Sequence, residues 1–163
     1  NSQDFNYIFF ATGTGIAPFR GMIQELFEKD FSNECALIFG CPYRTDVLYA
    51  DYFEDMDEKY DHFHYLVSVS REARREDGSK YYVQTKLDDE KKLLSPILAK
   101  DNTLIYICGM KGMETGIYTK LINQGHPEYL EIRKELPDDL NEIPDKKFKR
   151  FIKPGPRIFE EVY

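Results

Sequence analysis

Ser70, Arg71, Lys80 and Tyr82 bring four complementary functions into one short stretch of the chain. The serine donates a hydrogen bond, the guanidinium a forked pair, the ammonium is a point charge, and the tyrosine adds a flat ring with a hydroxyl. Their chemical complement is a phosphate monoester carrying close to two negative charges, joined to a planar base that stacks on Tyr82. Each charge-assisted bond contributes about 1.5–3 kcal/mol, enough to separate a phosphorylated ligand from its dephosphorylated form. Read without the neighbouring motifs, the same residues describe a solvated loop held by surface ion pairs. Gln84 follows directly, in Tyr82-Val83-Gln84-Thr85.

A second anion-seeking pattern is Ala11-Thr12-Gly13-Thr14-Gly15-Ile16-Ala17-Pro18-Phe19-Arg20. The apolar segment Tyr7–Phe10 precedes it and the helical pattern Met22–Phe27 follows, so a buried strand enters the turn and a helix leaves it. Gly13 and Gly15 permit φ > 0 and a close approach of ligand to backbone. Pro18 suits the first turn of a helix, whose unpaired N–H groups attract anions. The expectation is a phosphate or pyrophosphate site at the mouth of a parallel sheet. Pro18 stands where the dinucleotide fingerprint G-x-G-x-x-G needs its third glycine, and no Gly-Lys-Ser/Thr follows, so neither that motif nor a Walker loop is present. Two glycines alone also describe a structural turn.

The third stretch is Cys108-Gly109-Met110-Lys111-Gly112-Met113-Glu114, at the end of a strand pattern. No His or Lys partner is evident for Cys108, so it reads as a soft, small packing group rather than a nucleophile. The chain closes Glu161-Val162-Tyr163; an apparent core strand leads into Tyr163, which is expected to be tied down. His62 and His64 have no third ligand partner, so no metal site is expected. Lys146, Lys147, Lys149, Arg150, Lys153 and Arg157 make one region basic. It reads either as a solvated helix face or as a docking site for an acidic electron carrier.

These groups need a scaffold. Apolar runs predict strands at Tyr7–Phe10, Cys35–Cys41, Phe63–Ser70, Thr103–Cys108 and Arg157–Tyr163. Helical spacing covers Met22–Phe27, Leu48–Tyr60 and Val83–Leu98, the last broken or kinked at Pro96, and a helix follows Gly109 to about Gln124. Arg71–Lys80 reads as an exposed turn. Residues 125–157 are proline-rich, with two or three short helical pieces. The alternation predicts an α/β fold with a five-stranded parallel sheet flanked by helices on both faces, its ligand beyond the carboxyl ends of the strands.

A chain of 163 residues supports one domain with a real core. Its net charge of −7 argues against non-specific nucleic-acid binding. No apolar run reaches the length of a membrane span and no signal peptide precedes Asn1, so a soluble protein is expected. A start without Met is expected of a fragment or a processed chain. Cys35, Cys41 and Cys108 cannot all pair and show no metal spacing, which favours a reducing compartment.

The string Thr12–Arg20 resembles the loop that opens the NADP(H) domain of the ferredoxin–NADP⁺ reductase superfamily. Ser70-Arg71-Glu72, with Lys80 and Tyr82–Thr85, resembles the 2′-phosphate site of its plant-type members. The resemblance implies that Ser70, Arg71, Lys80 and Tyr82 hold the 2′-phospho-AMP half of NADP(H), with Gln84 facing the adenylate. It assigns Thr12, Gly13, Thr14, Gly15, Ala17 and Pro18 to cofactor binding, and places Gly109 and Met110 beside the pyrophosphate and ribose. Cys108 would pack beside the nicotinamide, Glu161 contribute to the hydride-transfer site, and Tyr163 stack on the flavin; these three are the catalytic set. Arg74 and Arg75 receive no role. Diflavin reductases share the glycine string and the Phe-Gly-Cys of residues 39–41, but their stacking aromatic is typically tryptophan, which this chain lacks.

Family members carry an upstream FAD-binding barrel marked by Arg-x-Tyr-Ser, which does not occur here. Residues 1–163 thus resemble a single Rossmann-like NADP(H)-binding domain, the C-terminal half of a two-domain reductase. The implied activity is hydride transfer between NADP(H) and FAD, with one-electron exchange to ferredoxin or another iron–sulfur or flavodoxin carrier. The implied partners are that carrier and the chain's own FAD domain, in the cytoplasm or a plastid. The alternatives are a diflavin or oxygenase reductase component, or an NADP-binding sensor without redox chemistry.

Overall fold

The structure is a computed structural model that describes residues 1–163, the Asp145 side chain excepted. Its chain order opens with β1 (Asn6–Thr12), α1 (Ile16–Phe27), β2 (Cys35–Cys41), α2 (Ala50–Lys59) and β3 (Phe63–Val69). After the loop come α3 (Lys86–Asp89), α4 (Lys91–Leu98), β4 (Thr103–Gly109) and α5 (Met113–Asn123). The chain closes with β5 (Leu130–Ile132), α6 (Asp145–Phe151), β6 (Ile152–Pro154) and β7 (Ile158–Val162). Five strands form one sheet in the order β3-β2-β1-β4-β7, and every neighbouring pair is parallel. This is the α/β sheet that the alternating pattern predicts.

The central strands are buried on both faces, so their sequences are continuously apolar rather than alternating. Tyr7, Phe9 and Ala11 point one way and pack with Ile16, Phe19, Ile23 and Leu26 of α1 and Phe53 and Met56 of α2. Ile8 and Phe10 point the other way, against Leu94 and Ile97 of α4 and Ile117 and Leu121 of α5. The first two crossovers run outward from β1 to β3. The third carries the chain back past β1 to β4, so connections diverge from the carboxyl ends of β1 and β4 and leave a crevice there.

One predicted element needs correction. The helix expected over Val83–Leu98 is a 3-10 turn at Val83–Thr85, one turn at α3, a break at Glu90 (φ −111°, ψ 31°), and α4. The break does not fall at Pro96, and α4 runs through that residue. Pro96 and Lys92 are exposed, so water can bond the Lys92 carbonyl that the missing N–H leaves free. Asp88 and Asp89 are instead drawn outward to Lys120 and Arg75, which pins α3 as a separate turn.

Residues 125–157 hold the expected short helical pieces, at Pro127–Tyr129, Leu140–Glu142 and α6, and a pair of strands besides. β5 and β6 pair antiparallel, each too short for a period-two pattern to show in sequence. The segment also contributes Tyr129, Leu140, Ile143, Phe148 and Ile152 to the α4–α5 core. Tyr129 is fully buried; its hydroxyl donates to the Leu98 carbonyl at 2.8 Å, and the Arg157 guanidinium lies 4.0 Å from its ring centroid. This region is therefore core structure rather than a linker. Tyr129→Ala should cost about 3–5 kcal/mol, and Tyr129→Phe only about 1 kcal/mol. Urea unfolding of the two variants checks this, and equal, negligible losses would show the segment to be an appendage.

Candidate functional site

The site is built where the carboxyl ends of β1 and β4 touch. Gly109 holds φ +146°, and a Cβ there would sit 2.1 Å from Thr12 Oγ1. The Thr12 hydroxyl accepts the Met110 N–H at 2.8 Å, which clips the loop after β4 to the glycine turn. Gly15 is equally confined, since a Cβ would lie 2.2 Å from the Cys108 carbonyl oxygen. Gly13, by contrast, takes φ +54° in open space. The first glycine shapes the turn and the second permits contact with β4, a division that the sequence alone does not reveal.

A cleft of about 460 Å³ opens above this junction. Thr12, Gly13, Ser70, Tyr82, Gln84 and Met110, all expected as site residues, line it together. Ser70 sits at the end of β3, where its N–H donates to the Cys41 carbonyl at 3.0 Å. The buried Ser68 hydroxyl donates to the Tyr82 carbonyl at 3.2 Å, and so ties the returning loop across the strand ends. A Cβ on Gly116 would meet the Gln84 amide at 2.8 Å, so Gln84 lies packed over α5. Arg71 and Lys80 stand outside the lining, in the loop beside Ser70 and Tyr82, and the Arg71 guanidinium lies 5.9 Å from the Tyr43 ring centroid. Ala17 and Pro18 are exposed on the first turn of α1 and also stay outside the lining.

The remaining three predicted residues gather on the β4–β7 side. Cys108 and Glu161 are register partners on adjacent strands. Burial, then the charge of Glu161, pushes the Cys108 thiol above its ordinary value, which holds it protonated at neutral pH and agrees with a packing role. Tyr163 is held by its backbone: its N–H donates to the Gly109 carbonyl at 3.1 Å and its carbonyl accepts the Lys111 N–H at 3.0 Å. Its hydroxyl shares a 2.8 Å hydrogen bond with Thr14 Oγ1, and the residue is 64% exposed. The tyrosine thus bridges the glycine turn and the loop after β4.

Sequence reasoning missed a buried support beneath that loop. Glu114, almost fully buried at the start of α5, accepts the Gly112 N–H at 2.7 Å. Lys149 of α6 lies 3.4 Å from Glu114 and 3.6 Å from Glu160, and Glu160 accepts a hydrogen bond from the Tyr118 hydroxyl. One lysine of the basic stretch is therefore committed to holding the site. A carboxylate at the start of a helix was the signal that could have marked Glu114; nothing local could mark Lys149. Ser68 left no signal either, because a hydroxyl inside a strand pattern reads as ordinary strand. His62 and His64 bond to the Phe31 carbonyl and to Glu34, and no group of metal-ligating side chains occurs among the described residues.

With the geometry established, the chain can be set against known proteins. A family model described as an oxidoreductase NAD-binding domain matches residues 9–119. The chain is 39% identical over 123 residues to a ferredoxin–NADP reductase of Picosynechococcus sp., covering 72% of this chain and 31% of that protein. It is 39% identical over 138 residues to the chloroplastic leaf isozyme 1 of ferredoxin–NADP reductase from Arabidopsis thaliana (79% and 38%). It is 43% identical over 116 residues to the chloroplastic leaf-type isozyme from Nicotiana tabacum (68% and 32%). The chain thus spans 31–38% of the length of these three relatives. A solved structure of ferredoxin–NADP⁺ reductase from Plasmodium falciparum with 2′P-AMP shares the fold, with a TM-score of 0.66 at 22% identity, over 99% of this chain and 53% of that one. No helix of the described residues is long and apolar enough to cross a membrane.

Burial raises all three thiols and several phenols, Tyr118 and Tyr65 the most, with Tyr7 pushed up to about 12. The unfolded chain releases its thiol protons from about pH 8.5 while the folded chain keeps them, so the folded state loses stability as pH rises through that value. We expect the urea midpoint to fall between about pH 8 and about pH 10. A flat midpoint would contradict the burial of these groups.

Proposed function

The chain belongs to the oxidoreductase NAD-binding domain family, and from that premise we propose that it is the NADP(H)-binding half of a ferredoxin–NADP⁺ reductase. One observation carries this reading: the two clusters of candidate residues lie at opposite ends of one row of strand termini. From β3, beside Ser70, to β7, beside Tyr163, are four inter-strand steps of about 4.8 Å, roughly 19 Å in all. An extended dinucleotide spans that distance and a mononucleotide does not.

The residues fit such a ligand end by end. At the β3 end, Ser70, Arg71 and Lys80 hold the 2′-phosphate, and Tyr82, 45% exposed, offers its ring to the adenine. In the middle, Gly13 stands in open space beside the clipped loop at Gly109–Met110, so the pyrophosphate can approach the backbone there. At the β7 end, the neutral Cys108 thiol and the Glu161 carboxylate flank the place for the nicotinamide. Tyr163 covers that place until its Thr14 hydrogen bond opens, a gating motion of one side chain.

Nicotinamide and flavin, when both are bound, supply the hydride exchange. This chain positions one ring, keeps the thiol protonated beside it, and sheds water from the site with Tyr163. The FAD-binding half packs on the α1 side of the β4–β7 edge. There Phe159 stacks on Tyr106 at 4.8 Å yet remains 46% exposed, an aromatic edge left uncovered by the helices. The exposed basic side chains of α6, Lys146, Lys147 and Arg150, face solvent and suit an acidic carrier such as ferredoxin. Three buried thiols suit a reducing compartment, the cytoplasm or a plastid.

Arg71→Ala tests the assignment. NADP⁺ affinity, read by calorimetry, should fall about tenfold or more, with NAD⁺ affinity nearly unchanged. Equal losses for both nucleotides would remove the 2′-phosphate from this end of the cleft.

A further inference from the structure

The loop between β3 and α3 holds more cationic charge than the assigned residues use. Arg74 and Lys80 form an isolated antiparallel bridge, so their side chains leave the backbone on the same side. Two cations directly opposite one another repel unless an anion lies between or beside them. Among the described residues, neither Arg74 nor Lys80 nor Arg71 has a carboxylate within ion-pair distance. The acids nearby are engaged elsewhere. The Glu72 carboxylate accepts the Arg44 N–H at 2.6 Å, and Asp77 accepts both the N–H and the hydroxyl of Ser79. Glu76 is exposed and makes no ion pair among the described residues.

The adjacent arginine behaves differently. Arg75 donates twice to the Asp89 carboxylate, at 2.6 and 2.8 Å, and lies 5.6 Å from the Tyr81 ring centroid. Its neighbour's alternation turns Arg74 away from that anchor and toward the side of Lys80. Arg75 fixes the loop, while Arg74 is left as a free guanidinium next to the residues that meet the 2′-phosphate.

We infer that Arg74 is a further specificity-determining residue: with Lys80 it forms a two-pronged cationic grip on the 2′-phosphate, selecting the phosphorylated dinucleotide. The inference rests on the NADP(H) reading of the cleft. A guanidinium presents a fork to phosphate oxygens that a point charge cannot match, so a second arginine beside Arg71 adds geometric as well as electrostatic selection. A dianion lying between Arg74 and Lys80 also removes their mutual repulsion, and bound ligand should therefore stiffen the bridge.

The test is calorimetric titration of this chain with 2′-phospho-AMP and with 5′-AMP, for the wild type, Arg74→Gln, Arg74→Lys and Arg71→Ala. Arg74→Gln should lower the ratio of the two affinities at least fivefold, and Arg74→Lys should restore part of it. The 2′-phospho-AMP affinity should also depend less steeply on salt in Arg74→Gln than in the wild type. Arg74 is exposed, so its replacement leaves the core intact, and 5′-AMP binding reports on folding within the same experiment. An unchanged ratio in Arg74→Gln, alongside a lost ratio in Arg71→Ala, would overturn the role of Arg74 and leave the nucleotide reading standing. A wild type that does not prefer 2′-phospho-AMP would overturn both.

Discussion

The contact of Gly109 with Thr12 is the constraint on which the rest of the site depends. The two strands that bound the crevice are joined there without room for a single added carbon. The Thr12 hydroxyl turns this crowding into order by accepting the Met110 N–H. Because the loop after β4 is clipped at that point, the Gly109 carbonyl and the Lys111 N–H are positioned to hold Tyr163 on both sides. Gly15, pressed on the Cys108 carbonyl, sets the entry of α1 against the same strand. A side chain at Gly109 would separate β1 from β4, and the glycine turn, the loop and the tyrosine would lose their common reference.

Around that junction, charge is distributed by purpose. The chain is acidic overall, with a net charge of −7, yet Arg71, Arg74 and Lys80 have no ion-pair partner among the described residues, while local carboxylates are drawn to Arg44 and Ser79. Where cations serve the scaffold, they are paired: Arg75 with Asp89, Lys120 with Asp88, Lys149 with Glu114 and Glu160. The Lys149 pairs are partly buried, where loss of one partner costs more than at an open surface. They couple α6, distant in sequence, to the loop beneath Tyr163.

Much of this was legible in the sequence because the strands are buried on both faces. Continuous apolar runs at Tyr7–Phe10, Cys35–Cys41 and Thr103–Cys108 announce a parallel sheet, and the carboxyl-end rule then places Thr12, Ser70 and Gly109. What was not legible depends on contacts across long separations or on very short elements. The β5–β6 pair has no period to read, and the break at Glu90 follows from Asp88 and Asp89 reaching partners on other elements. The support from Ser68, Glu114 and Lys149 consists of single side chains whose partners only the fold supplies. Burial and the Glu161 charge raise the Cys108 thiol, an effect that depends on a register partner only the fold supplies.

The central claim is that one dinucleotide runs along the strand termini from Ser70 to Tyr163. The most direct measurement is backbone amide chemical-shift mapping of this chain during titration with 2′-phospho-AMP and then with NADP⁺. Both ligands should perturb Ser70, Arg71 and Tyr82, and only NADP⁺ should reach on to Gly109–Gly112 and Tyr163. If NADP⁺ perturbs no more than 2′-phospho-AMP does, or if the shifts lie away from the strand termini, the spanning site does not exist.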